Sequence, residues 1–122
     1  MATQVRHENG VVIIEPHGKL NRDLNIKDFR ESILPEVKAY DDPRILINFA
    51  HARRMSSSGL SVLMQAYAIT KHKQGRIGVI HAGRHINNLL VLSRLSSLFE
   101  RFDDEVDAVA QLSSAPQHHA AF

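Results

Sequence analysis

The chain contains no cysteine, and aromatic residues make up 6% of its 122 residues. Without cysteine there is no disulfide, no thiolate nucleophile and no cysteine-ligated metal, a composition compatible with a reducing cytoplasm. Long apolar runs are missing too. Charges interrupt every apolar stretch well before the ~20 residues a membrane helix needs, and the start, Met1-Ala2-Thr3-Gln4-Val5-Arg6-His7-Glu8, carries no apolar signal core. Neither charge sign dominates. The formal net charge is +2, with no basic tract and no acidic tail, so neither nucleic-acid binding nor membrane insertion is expected. A soluble cytoplasmic protein is expected.

Several catalytic patterns are missing as well. The eight histidines (His7, His17, His51, His72, His81, His85, His118 and His119) show no metal-ligand spacing. Ser56 stands where a hydrolase elbow requires its first glycine before Ser58. No phosphate-binding Gly-rich loop with its lysine occurs. Neither an enzyme nor a metal or cofactor site is expected. Arg53 and Arg54 are adjacent, and Lys71, Lys73 and Arg76 cluster later, but no aromatic residue interleaves with them. They read as a solvated basic rim.

What is present is a globular balance, 43% apolar and 23% charged, in a length suited to one domain. Val5 begins a weak strand signal, Asn9-Gly10 is a strong turn pair, and Val11-Val12-Ile13-Ile14-Glu15 is a strand, together a hairpin. A helix follows with apolar positions at Leu24, Ile26, Phe29, Ile33, Leu34 and Val37, kinked or restarted at Pro35. Ile45 to Phe49 suits a strand covered on both faces. Gly75 reads as a helix C-cap, and Arg76 to Ile80 as the next strand in a right-handed βαβ unit. Ile86, Leu89, Leu90, Leu92 and Leu95 give another amphipathic helix. Leu98 to Phe102 is a short strand. A last helix opens on Asp103-Asp104-Glu105 and lays Val106, Val109, Ala110 and Leu112 to one side. The expected architecture is an α/β sandwich, a mixed sheet of about four to five strands with about four helices against it. One domain is expected over residues 1–112, with a flexible tail over 113–122.

Between the strand at Ile45–Phe49 and the helix expected from about Ser58 to Gln74 lies Arg53-Arg54-Met55-Ser56-Ser57-Ser58-Gly59-Leu60. Three hydroxyls and a glycine sit at a strand-to-helix junction, where free backbone N–H groups and the helix dipole favour an anion. Capping alone accounts for one serine. A phosphate there would add about −1.5 to −2 charges without breaking the fold, while altering what docks on the corner. Along the helix, Leu60, Leu63, Met64 and Tyr67 form a core stripe. Val62 and Ile69, with Ser58 and Gln65 beside them, form a second that serves either the core or a partner.

The run from Ile45-Leu46-Ile47-Asn48-Phe49 through Met55-Ser56-Ser57-Ser58-Gly59-Leu60-Ser61-Val62-Leu63 resembles the central motif of STAS domains, the family of bacterial anti-sigma-factor antagonists. Its usual form is a hydrophobic strand followed by Asp-Ser-Ser-Gly-Leu and a helix. Gly18-Lys19-Leu20-Asn21 resembles the family's Gly-x-Leu-Asp element, and Leu92-Ser93-Arg94-Leu95 with Leu98-Phe99 resembles its late helix and final strand. The resemblance implies a STAS-like sandwich and a partner switch. Such antagonists bind an anti-sigma factor that is also a serine kinase, and so free a sigma factor. The kinase phosphorylates the first serine of Ser-Ser-Gly, binding is lost, and a phosphatase restores it. The acceptor falls on Ser57, with Ser56 and Ser58 less favoured. Arg53-Arg54-Met55-Ser56 also fits a simple basophilic kinase pattern.

Partner contacts are expected from Asn21, Arg53, Arg54, Ser56, Ser58, Gly59, Val62, Gln65 and Ile69. Ser56, Asn21 and Asn48 each stand where the family commonly has aspartate. The resemblance leaves a second class open, a constitutive STAS scaffolding module in a signalling or lipid-transport complex. The oligomeric state is left open too.

Overall fold

A computed structural model of the chain describes residues 3–113. The expected tail from residue 114 on, with His118 and His119, lies outside the described residues.

The architecture is built on two apolar strands. β2 (Val11–Glu15) and β4 (Arg44–Asn48) each carry an unbroken apolar run, Val11 to Ile14 and Ile45 to Ile47, and all of these residues are buried. Side chains alternate across a strand, so an unbroken apolar run requires cover on both faces. That cover exists. Val12, Ile14, Ile45, Ile47, Ile77 and Val79 join one cluster with the helices on the first face. Val11, Ile13, Leu46 and Ile80 join another with Ala108, Val109 and Leu112 on the second.

β1 (Gln4–Glu8) pairs antiparallel with β2 through a two-residue turn, Asn9 and Gly10 at φ 52° and 81°. Two positive φ values in succession are what a tight hairpin turn needs. β2, β4, β6 (Arg76–Ile80) and β7 (Glu100–Arg101) then run parallel, giving the order β1-β2-β4-β6-β7. The last strand is shorter than the Leu98–Phe102 expected. Phe99 turns into the core before pairing begins, and Phe102 after it packs against the second face.

α1 (Asp23–Ala39) buries Ile26, Phe29, Ile33 and Val37. It runs through Pro35 without ending. Pro35 and Glu31 are both exposed, so the carbonyl that the missing N–H would have bonded is open to water. α2 (Ser57–His72) packs beside α1, α3 (Arg84–Leu92) completes the first layer, and α4 (Glu105–Leu112) alone among the described helices covers the second face. Leu24, Leu92 and Val106, assigned to apolar stripes by spacing, are instead 80%, 81% and 82% exposed. Each lies within two residues of a helix end, where the packed stripe has run out.

α2 does not end on Gly75. Its cap is Lys73, and Gln74 takes the left-handed turn at φ 62°. Gly75 is required for space, since a Cβ there would lie 2.2 Å from the Pro43 carbonyl oxygen.

Candidate functional site

Two short strands absent from the sequence-based expectation carry the serine corner. β3 (Gly18–Leu20) and β5 (Ala52–Met55) form a separate parallel ribbon. Its pairs are Gly18 with Ala52, Lys19 with Arg54 and Leu20 with Met55. The register shifts after Gly18, so Arg53 is an extra residue bulged from β5. The bulge lets Ala52 and Met55 both face the core although they stand three positions apart. Strict alternation would forbid this, and that broken pattern hides the strand in the sequence.

The ribbon is fastened at its base and at its tip. At the base, the Gly18 amide donates to the His51 carbonyl at 2.9 Å. The His17 and His51 rings stack at 4.8 Å, with the Glu15 carboxylate 3.1 Å from His51 Nε2. At the tip, the Ser56 amide donates to the Leu20 carbonyl at 3.0 Å. Ser56 is the N-cap of α2, in extended conformation. Its hydroxyl accepts from the Gly59 amide and donates to the Leu20 carbonyl, both at a long 3.4 Å. Gly59 is buried because the strand end presses on it. A Cβ there would meet Leu20 O and Met55 Cγ, each at 2.9 Å.

Ser56 therefore does the capping, and Ser57 and Ser58 are left as the first two helical residues, both exposed. Their amides have no intrahelical acceptor, and the dipole places partial positive charge there. The corner thus presents two free hydroxyls beside free N–H donors. Arg53 and Arg54 are exposed just upstream, and Asn21 is exposed just past β3.

Along α2 the outward surface differs from the one expected. Val62 is 0% exposed and packs in the core with Leu63 and Ala66, so it offers nothing to a docked partner. Met64, expected in the core, is 44% exposed. Packing between α1 and the sheet selects the positions at Gly59, Val62, Leu63 and Ala66. Ser57, Ser61, Met64 and Ala68 consequently form an open stripe at helical spacing. Gln65 is exposed beside it, and Ile69 is half-buried. Ser61 and Met64 belong to this surface, and neither was among the partner contacts expected from sequence. The period identified a helix, but not which of its two stripes faces inward.

Asn48 stands away from the corner. It is buried at the end of β4, accepts from the Ala50 amide at 2.9 Å and donates to Glu105 at 3.4 Å. Glu105 is also held by Arg6 at 2.7 Å, and that hydrogen bond draws its carboxyl below the ordinary value. This network ties β1, β4 and α4 together at the edge of the sheet. Among the described residues no group of three or more His, Asp or Glu is arranged to hold a metal ion. No described helix is long and apolar enough to cross a membrane.

A mixed five-stranded sheet, a helical layer on each face, and a hydroxyl-rich helix start held against a small side ribbon define an α/β sandwich of the STAS type. The chain belongs to the STAS family, and the STAS domain model matches residues 2–108. A curated relative, an anti-sigma F factor antagonist from Paenibacillus polymyxa, is 26% identical over 110 residues, covering 89% of this chain and 92% of the relative. An anti-sigma-factor antagonist domain protein from Planctomyces limnophilus superposes with a TM-score of 0.82 at 15% identity, over 93% of this chain and 100% of that one. The antagonist SpoIIAA superposes in its unphosphorylated form at 0.77 and 19% identity, over 94% of this chain and 99% of that one. In its phosphorylated form it superposes at 0.71 and 19%, over 90% and 98%. These structural likenesses establish the fold.

Proposed function

We propose that this protein is an anti-sigma-factor antagonist controlled by phosphorylation of Ser57. It acts in the cytoplasm, without enzymatic activity of its own. Unphosphorylated, it binds an anti-sigma factor that is a serine kinase and so frees a sigma factor. The kinase phosphorylates Ser57, the complex separates, and a phosphoserine phosphatase resets the cycle. The observation that carries the reading is the division of labour at the corner. Ser56 caps α2, which leaves the Ser57 hydroxyl exposed at the first helical position. A phosphate there meets free N–H groups and a favourable dipole, so the fold accommodates it. Further support comes from the relative named as an antagonist and from a fold neighbour that exists in phosphorylated and unphosphorylated forms.

The test is mass spectrometry after incubation with a cognate anti-sigma-factor serine kinase. Phosphate on Ser57 is expected; an unmodified Ser56-Ser57-Ser58 run rejects the switch. A second reading, a constitutive scaffolding module, is favoured by one observation. The cap is a serine hydroxyl where the family's motif has a carboxylate, and two arginines precede it. Under that reading Ser57→Ala and Ser57→Asp bind the partner alike.

A further inference from the structure

The outer face of the β3–β5 ribbon is a row of unopposed cations. Lys19 and Arg54 are register partners, so their side chains leave the same side of the ribbon next to each other. Their neighbours Leu20 and Met55 point into the core, which sets the other two outward. Arg54 and, in the bulge, Arg53 are exposed, and Lys19 is half-buried. Among the described residues none of the three has a carboxylate within ion-pair distance, whereas Arg6, Arg44 and Arg76 each hold one at 2.7, 3.1 and 2.5 Å. Like charges placed opposite each other in a sheet repel. No carboxylate among the described residues lies close enough to pair with them, and the ribbon leads directly into the free N–H groups of Ser57 and Ser58.

We infer that this ribbon is a docking surface for a carboxylate-rich face of a protein partner, and that a phosphate on Ser57 releases the partner by competing for the same cations. The inference rests on the reading of the serine corner as the partner site. Charge complementarity selects the occupant. Three cations on a ribbon of three or four residues span roughly 10 Å, which suits two or three aspartates or glutamates on a folded surface. A nucleic-acid strand is a poorer match, because the ribbon has no aromatic residue on which a base would stack and the whole chain carries only +2. The corner carries three positive charges before modification. A phosphoserine of about −1.5 to −2 cancels about half to two thirds of them, which weakens the attraction without reversing it. Partner polarity is therefore set by Lys19, Arg53 and Arg54, in a chain that has Asn21 and Ser56 where its family commonly has acids.

The test is an amide NMR titration of the full chain with decaglutamate, with a ten-nucleotide single-stranded DNA and with inorganic phosphate, each at low and at moderate salt. Decaglutamate is expected to shift the Lys19, Arg53, Arg54 and Ser57 amides. Its affinity is expected to fall on the order of tenfold in Arg53→Glu/Arg54→Glu and similarly when Ser57 carries phosphate. Lys19→Glu, on the other strand, gives an independent variant, and unchanged spectra away from the ribbon verify that both fold. Ribbon amides unmoved by decaglutamate, tighter binding of the DNA, or a response to phosphate alone would each overturn the inference. No kinase enters this titration, so its failure leaves the Ser57 phosphorylation assay standing, and failure of that assay leaves these shifts readable.

Discussion

Leu20 and Ser56 lie 36 positions apart in sequence, yet the Leu20 carbonyl receives the Ser56 amide at 3.0 Å and sits 2.9 Å from where a Cβ on Gly59 would stand. One backbone oxygen thus fixes where α2 begins and requires glycine at its third helical position. Gly59→Ala is expected to destabilise the domain by about 1–3 kcal/mol, because a backbone carbonyl gives way less readily than a side chain. Denaturant unfolding measures this, and a loss well below ~0.5 kcal/mol would mean that β3 yields at this point.

Ser56 and Ser57 are expected to separate by assay. Ser56→Ala removes the N-cap and costs about 0.5–1 kcal/mol of stability, toward the low end for caps because the bond is long at 3.4 Å. Ser57→Ala leaves stability within about 0.5 kcal/mol, as for an exposed surface position. Parallel thermal and denaturant melts of the two variants check this, and a reversal of the order would move the cap to Ser57.

Much of this arrangement was legible in the sequence. Asn9-Gly10 dictated its turn, the unbroken apolar runs of β2 and β4 announced a sheet covered on both faces, and Ser56 to Gly59 marked the start of α2. The ribbon was not legible, because the bulge at Arg53 destroys the alternation that identifies a strand and three paired residues give little pattern to begin with. The inward face of α2 was not legible either. Val62 and Met64 have similar apolarity, and only the positions of α1 and the sheet decide that Val62 is buried and Met64 is not. The pairing of Arg54 with a second cation, Lys19, was hidden for the same reason, since it follows only from the register of the ribbon.

The C-terminal end of α4 is held by two arginines that are register partners on neighbouring strands, Arg44 on β4 and Arg76 on β6. Arg44 donates to the Leu112 carbonyl, and Arg76 donates to the Gln111 carbonyl at 2.8 Å. Cations at this end also complement the helix dipole. Arg44 is buried, with Asp42 as its ion pair. Arg44→Met is expected to cost about 2 kcal/mol, and Arg76→Met, which is more exposed, about half that. Hydrogen exchange is expected to rise first in α4. Unchanged protection there would exclude the clamp.

Acid sensitivity is expected to run partly through Glu105. Its hydrogen bond to Arg6 lowers its carboxyl pKa from the ordinary 4.5. A carboxyl whose folded pKa is lowered stabilises the fold fully above its unfolded value, and that contribution is lost as pH falls through the folded value. Glu105→Gln is therefore expected to be less stable than the parent at pH 7, with the gap closing as pH falls below about 4.5. Melting temperatures of both proteins across that range check the sign. A gap that widens in acid would contradict the pairing.

On the proposed function, a phosphate on Ser57 controls binding to the anti-sigma-factor kinase. The most direct measurement compares the affinity of that kinase for the unmodified chain and for the chain carrying phosphoserine genetically encoded at position 57. Both are expected to fold alike by circular dichroism, and the phosphorylated chain is expected to bind at least about tenfold more weakly, a difference of about 1.4 kcal/mol. Equal affinities for the two forms would contradict the account.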